Sequence, residues 1–344
     1  LELLAFSEEI SNQPTITEFT KVDLTGGQEI EGAKMQILDQ DGKVVEEWVS
    51  KKEPHVVYAL EPGEYVLHEE QAPTEQGYVR TEDVKFVVEE TGDVQKVKME
   101  DDHTKVSISK TDITDGKEIE GAKLQILDQD GEVVESWTTG EEHLIEYLPV
   151  GTYTLHEEAA VDGYIVANDV EFTVEETGEI QKVKMEDERA MGQLVIVKTD
   201  TDSKAALEGV EFVLLEKETG KEVGRLKTGK DGKAVSELLP IGTYENGVFK
   251  EPITYVLKET ATLKGYEKTE EEWEIVFTYQ NDKTPVIEVV KEIQNKKIPE
   301  TPGTVKPGPK TGDDTNWFLP LLALGASAGM VAGLLYYRKR DKKA

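Results

Sequence analysis

The chain has 344 residues, enough for two or three cores of ordinary size. Hydrophobic residues make up 37% and charged residues 32%, which fits small globular cores with much solvated surface and excludes a disordered chain. Acidic residues outnumber basic ones 71 to 39, and the net charge of -32 repels polyanions and excludes nucleic acid as a partner; the absence of cysteine excludes disulfides, thiolate metal sites and Cys nucleophiles.

The chain opens at Leu1 with no basic segment followed by an apolar one, so a signal peptide is not expected within this sequence and its N-terminus is expected to be truncated. EEISNQP, from Glu8, resembles KEIQNKKIP near the other end, and residues 1–14 are therefore expected to be the last strand of a preceding module. Next come repeats. IEGAKMQILDQDGKVVEEW from Ile30 and IEGAKLQILDQDGEVVESW from Ile119 share 16 of 19 residues, and VEETGDVQKVKMED from Val88 returns as VEETGEIQKVKMED from Val174. A third, more diverged copy starts with LVIVKTD at Leu194 and is longer, with an insertion around Glu245 to Pro252.

Within each copy, short runs such as AKLQIL, TYTLHE and VEFTVEE alternate apolar and polar residues between Gly-containing turns. That period predicts half-buried strands, and no segment before residue 317 has a helical one. The modules are expected at residues 15–102, 103–189 and 190–297, each an all-β sandwich.

Side chains two apart on a strand share a face, so parity identifies what points inward. In the first strands Phe19 with Lys21, Ile108 with Lys110 and Ile196 with Lys198 share a face. In a middle strand Glu69, Glu157 and Glu259 each follow a Tyr-x-Leu pair on the apolar face. In the last strand Asp101 and Asp187 follow Val-x-Met, and Asn295 follows Ile293, although Lys291 interrupts that apolar face. A free ammonium and free carboxylates are costly to bury. Two outcomes reconcile them with a core. One is a buried ion-pair network. The other is condensation: desolvation favours a neutral amine and neutral carboxyls, the amine attacks the Asp or Asn carbonyl while Glu shuttles protons, and water or ammonia leaves.

SKTD at Ser109, EGAKLQILDQDG from Glu120, LPVGTYTLHEEAAVDGY from Leu148 and FTVEETG from Phe172 resemble the Cna protein B-type domain, also called SpaA-like or prealbumin-like, of Gram-positive adhesins and pilins. Its Y-x-L-x-E-x-x-A-x-x-G-Y box is met in full by the second copy; the first has two extra residues before Gly77, and the third has Thr262 at the alanine position. The resemblance implies tandem Ig-like or prealbumin-like β-sandwiches, and an intramolecular isopeptide bond in each: Lys21 to Asp101 with Glu69 assisting, Lys110 to Asp187 with Glu157, and Lys198 to Asn295 with Glu259. It also makes Asn12 the unpaired acceptor of the preceding module. No HExxH, phosphate loop or dinucleotide fingerprint appears, so no cofactor, metal or turnover of an external substrate is expected.

Residues 298–316 are rich in proline and glycine, an extended linker. Residues 317–337 carry no charge and, as a helix of about 31 Å, are long enough to cross a bilayer core. The basic tail at 338–344 places the far end in the cytoplasm. Gly308, Pro309, Lys310, Thr311 and Gly312 resemble the sortase motif LPxTG, with glycine in place of leucine. Motif, apolar span and basic tail together imply a sortase partner, cleavage after Thr311, and transfer to a peptidoglycan amine or a pilin lysine at the cell wall.

The resulting expectation is a non-enzymatic surface stalk that projects an adhesive region. Two alternatives are modules that bind host extracellular matrix protein, with the Glu245 to Pro252 insertion as the candidate loop, and a minor pilus subunit. DQDG at Asp39 and Asp128 lacks the downstream ligands of a calcium loop and is read as a turn. His68 and His156 fall on the solvent face by alternation.

Overall fold

A computed structural model describes residues 13–300. The expected terminal strand of a preceding module with Asn12, the sorting motif Gly308 to Gly312, the apolar span and the basic tail lie outside the described residues. Three consecutive β-sandwiches fill residues 16–295. The first holds β1 (Ile16–Asp23), β2 (Lys34–Leu38), β3 (Val44–Val49), β4 (His55–Tyr58), β5 (Gly63–Gln71), β6 (Val84–Val88) and β7 (Val94–Asp101). Its two sheets run β4-β1-β7 and β3-β2-β5-β6.

The second module repeats this plan with β8 (Lys105–Asp112), β9 (Lys123–Leu127), β10 (Val133–Thr138), β11 (His143–Glu146), β12 (Gly151–Ala159), β13 (Tyr164–Ile165), β14 (Val170–Val174) and β15 (Ile180–Arg189). Its sheets are β11-β8-β15-β13 and β10-β9-β12-β14. The third module opens with β16 (Met191–Asp200), β17 (Glu211–Glu216), β18 (Glu222–Lys227), β19 (Lys233–Val235) and β20 (Leu239–Pro240). It continues with β21 (Gly242–Glu245), β22 (Val248–Pro252), β23 (Thr254–Ala261), β24 (Glu272–Val276) and β25 (Val286–Asn295).

Alternation of side chains explains the cores. Phe19, Met35, Ile37, Leu67 and Met99 meet between the first module's sheets, and Ile108, Leu124, Ile126, Leu155 and Met185 occupy the same places in the second. The DQDG stretches are turns: Gly42 N–H donates to the Asp39 carbonyl at 3.0 Å, and Gly131 to Asp128 at 3.1 Å. The two extra residues before Gly77 are taken up by a 3-10 turn at Thr74–Gln76. Gly77 has φ +79, and a Cβ there would lie 2.4 Å from the Tyr147 backbone of the second module, so this joint requires glycine.

One pairing is of a kind that alternation cannot reveal. In every module the first and last strands are parallel neighbours: β1 with β7, β8 with β15, and β16 with β25. The remaining pairs within the sandwiches are antiparallel, both where a hairpin links them, as β2 with β3, and where it does not, as β1 with β4.

The insertion in the third module differs from its reading as a ligand loop. β21 and β22 form a hairpin turned by Asn246 and Gly247, both at positive φ, as a two-residue turn requires. The hairpin is seated on the second module. Tyr244 Oη donates to the Gly163 carbonyl at 2.8 Å, the Arg189 guanidinium stacks 4.1 Å from the Tyr244 ring centre, and a Cβ on Gly247 would lie 2.1 Å from the Glu118 carbonyl oxygen. Its aromatic side chains are thus engaged within the chain.

Candidate functional site

The parallel neighbours bring the first-strand lysine and the last-strand acceptor onto one inward face. Lys21 lies opposite Met99, so Asp101, two residues on, stands diagonally beside it. Glu69 reaches the same point from β5 in the facing sheet. Lys21 is 4% exposed, Glu69 1% and Asp101 0%, so water does not screen the group. Lys21 Nζ contacts Asp101 Oδ1 and lies 3.0 Å from Glu69 Oε2.

The second module reproduces this set. Lys110 Nζ contacts Asp187 Oδ1 and lies 2.9 Å from Glu157 Oε2. Both glutamates are held by the chain, Glu69 Oε2 accepting the Thr81 N–H at 3.2 Å and Glu157 Oε2 the Ala167 N–H at 2.7 Å. In the third module Lys198 Nζ donates to Asn295 Oδ1 at 2.5 Å and lies 2.9 Å from Glu259 Oε2. Asn295 Nδ2 donates to Glu259 Oε1 and to Thr262 Oγ1, both at 2.7 Å. Lys291 shares this face but is half-buried, its Nζ 5.9 Å from the Trp273 ring centre, so its stem packs while its charge meets an aromatic face.

Electrostatics favour neutral partners. Burial pushes the Asp101 and Asp187 carboxyls up to about 7, against the pull of Lys21 and Lys110 and with the repulsion of Glu69 and Glu157 adding to the rise. Burial likewise lowers the Lys198 amine, opposed by Glu259. Asp101 Oδ2 and Glu69 Oε1, and likewise Asp187 Oδ2 and Glu157 Oε1, are buried and accept no hydrogen bond. One proton between each pair of oxygens would satisfy both. An amine against a carboxyl or carboxamide, with a second carboxyl at hand to move protons, is an arrangement able to condense. Among the described residues no group of three or more His, Cys, Asp or Glu side chains could hold a metal ion.

Sequence parity overlooked a second buried acid. Asp23, Asp112 and Asp200 stand two residues past the lysines, on the same face, and are 0%, 0% and 4% exposed. The signal was available in the recurring Lys-x-Asp of all three copies. Asp23 Oδ1 accepts the N–H groups of Thr25 and Gly26 at 2.6 and 2.7 Å, while Oδ2 accepts Tyr78 Oη at 3.1 Å and, from the next module, Tyr147 Oη at 2.7 Å. Tyr147 adopts φ 61 to make that reach, a strained backbone for a tyrosine. Asp112 Oδ2 accepts Tyr164 Oη at 2.8 Å and Arg189 Nε at 2.6 Å, and the same Arg189 stacks on Tyr244 of the third module. Asp23 and Asp112 therefore tie the first strands of their modules to their own sandwiches and to the joints beyond them.

Tandem two-sheet modules with parallel terminal strands and a buried Lys-Glu-acid set define a class of repetitive β-sandwich proteins. The chain belongs to the SpaA prealbumin-like fold domain family, whose profile matches residues 15–103, 104–189 and 192–252, more than half of its length. The third match stops at the inserted hairpin, before Glu259 and Asn295. Comparison with curated proteins gives no match. Among solved structures, the chain is similar to the Bacillus anthracis TIE protein at 27% identity and TM-score 0.56, over 83% of this chain; it spans about half, 51%, of that protein. BcpA, the major pilin subunit of Bacillus cereus, is similar at 16% identity and TM-score 0.47, over 83% of this chain and 100% of that one. The Streptococcal ancillary pilin is similar at 16% identity and TM-score 0.34, over 84% and 100%.

Proposed function

We propose that this chain is a cell-surface stalk whose modules brace themselves by isopeptide bonds, Lys21 to Asp101, Lys110 to Asp187 and Lys198 to Asn295, with Glu69, Glu157 and Glu259 as the proton shuttles. The observation that carries the reading is the threefold recurrence of an amine buried against a carboxyl or carboxamide on neighbouring parallel strands. In each set the lysine Nζ bonds to the acceptor Cγ, a proton passes through Glu to the leaving oxygen or nitrogen, and water or ammonia departs. A neutral amide then replaces charges that burial penalises.

Position gives the bond its use. Tension enters the first module at the start of β1 and leaves at the end of β7, and Lys21 and Asp101 stand on that path. The load passes through the amide, and the sheets between carry none of it. The reading of the C-terminal segment as a sortase signal adds the anchor: Gly308, Pro309, Lys310, Thr311 and Gly312 for recognition, and cleavage after Thr311 with transfer to peptidoglycan or a pilin lysine. Host matrix binding by the modules has less support, because its candidate loop rests on the second module.

Intact mass is the direct test. The chain should weigh less than its sequence by two waters and one ammonia, and an unmodified mass would remove the brace from the reading. In a sortase-bearing cell, Thr311→Ala should leave the chain in the membrane fraction, and wall attachment of that variant would refute the anchor.

A further inference from the structure

The three buried sets differ at one position. Three residues past the shuttle glutamate stand Ala72 in the first module, Ala160 in the second and Thr262 in the third. The acceptor changes in step: Asp101 and Asp187 accompany alanine, Asn295 accompanies threonine. In all three modules lysine Nζ lies against the acceptor's Oδ1, which leaves Oδ2 of the aspartates and Nδ2 of the asparagine turned away from the amine.

That second atom meets different chemistry in the two cases. In the first and second modules Oδ2 and the glutamate Oε1 are both bare, buried acceptors, which a single shared proton satisfies. A carboxamide brings two N–H donors and needs two acceptors. Glu259 Oε1 takes one at 2.7 Å and Thr262 Oγ1 takes the other at 2.7 Å. With alanine at this position one N–H would be left in the core without an acceptor, or the group would turn over and set its NH2 against the Lys198 amine, donor facing donor.

We propose that Thr262 is a positioning residue that fits the third module to an asparagine acceptor, holding the carboxamide with its carbonyl toward Lys198 and its amino group toward Glu259. The inference rests on the cross-linking reading above. In the step it serves, Lys198 Nζ bonds to Asn295 Cγ and gives up one proton, which Glu259 relays to Nδ2; the Cγ–Nδ2 bond breaks and NH3 leaves. The new amide keeps one hydrogen, and no other reactant enters.

The test follows condensation in the full-length chain by peptide mass, as the fraction in which the peptides bearing Lys198 and Asn295 are joined at set times after synthesis. Thr262→Val keeps the side-chain shape without the hydroxyl and should slow joining about tenfold, the worth of one buried hydrogen bond, while Thr262→Ser should join at the wild-type rate. Adding Asn295→Asp to Thr262→Val should restore joining with loss of water, an outcome that a packing role for Thr262 would not produce. In the second module, Ala160→Thr should speed ammonia loss from an Asp187→Asn variant. If wild type leaves the two peptides separate, the cross-linking reading itself falls and this inference with it. A joined wild type with Thr262→Val equally fast, or with Asn295→Asp giving no relief, overturns this inference alone.

Discussion

Replacing Glu157 by Gln removes the proposed proton shuttle of the second module and leaves Lys110 and Asp187 in place. The cross-link it should abolish spans 77 residues of chain. By loop-closure entropy, a tie of that span destabilises the unfolded module by about 4.5 kcal/mol. For a module of under 100 residues each kcal/mol moves the midpoint by about 4 to 8 °C, so the unlinked module should melt at least roughly 20 °C lower. The unreacted amine and carboxyl left in the core deepen the loss. Calorimetry of the Glu157→Gln chain should show one transition displaced downward while those of the other two modules stay, and intact mass should rise by one water beyond the substitution itself. If the water is lost as in wild type, Glu157 is not the shuttle. If it is retained and no transition moves, the bond does not brace the fold.

Two further outcomes test the joints. Gly247→Ala places a Cβ 2.1 Å from the Glu118 carbonyl at φ +69, so the hairpin should lift from the second module; proteolysis at Asn246 should quicken while the mass deficit is kept, and unchanged cleavage would refute the seating. The joints should also loosen in acid. Burial works to raise the Asp23 and Asp112 carboxyls, but hydrogen bonds outweigh it, from the Gly26 N–H and Tyr147 for Asp23 and from the Thr114 N–H, Tyr164 and Arg189 for Asp112, so both sit below the ordinary 3.8. A depressed carboxyl contributes stability above its free value and loses it as pH falls through the lowered one. Small-angle scattering should therefore report a more flexible chain below about pH 4, and a profile unchanged into strong acid would refute that role.

How far the molecule is legible in its sequence depends on what each feature needs. The strands and their inward faces were readable because period two recurs three times, so Lys21, Glu69 and Asp101 could be assigned a common face before any coordinates, and the structure places them within contact. Which strands pair was not readable, since alternation is the same for parallel and antiparallel partners. Asp23 and Asp112 were missed because an aspartate ahead of a Thr-Gly or Thr-Asp-Gly turn reads as part of that turn; only tertiary donors such as Tyr147 and Arg189 give it a second role. The hairpin around Gly247 carried ordinary hairpin signals, and nothing local to Tyr244 or Phe249 says that a neighbouring sandwich receives them.

The parallel pairing of terminal strands has a consequence for survival outside a cell. If residues 21 and 101 are joined as proposed, the reachable turns between them, including the one at Asp39, lie inside a closed ring of chain. A protease that cuts such a turn opens the ring without parting the polymer, because the covalent route from Ile16 to the second module does not run through the severed segment. In the proposed stalk, the stretches outside the rings would then be the places where one scission parts the chain.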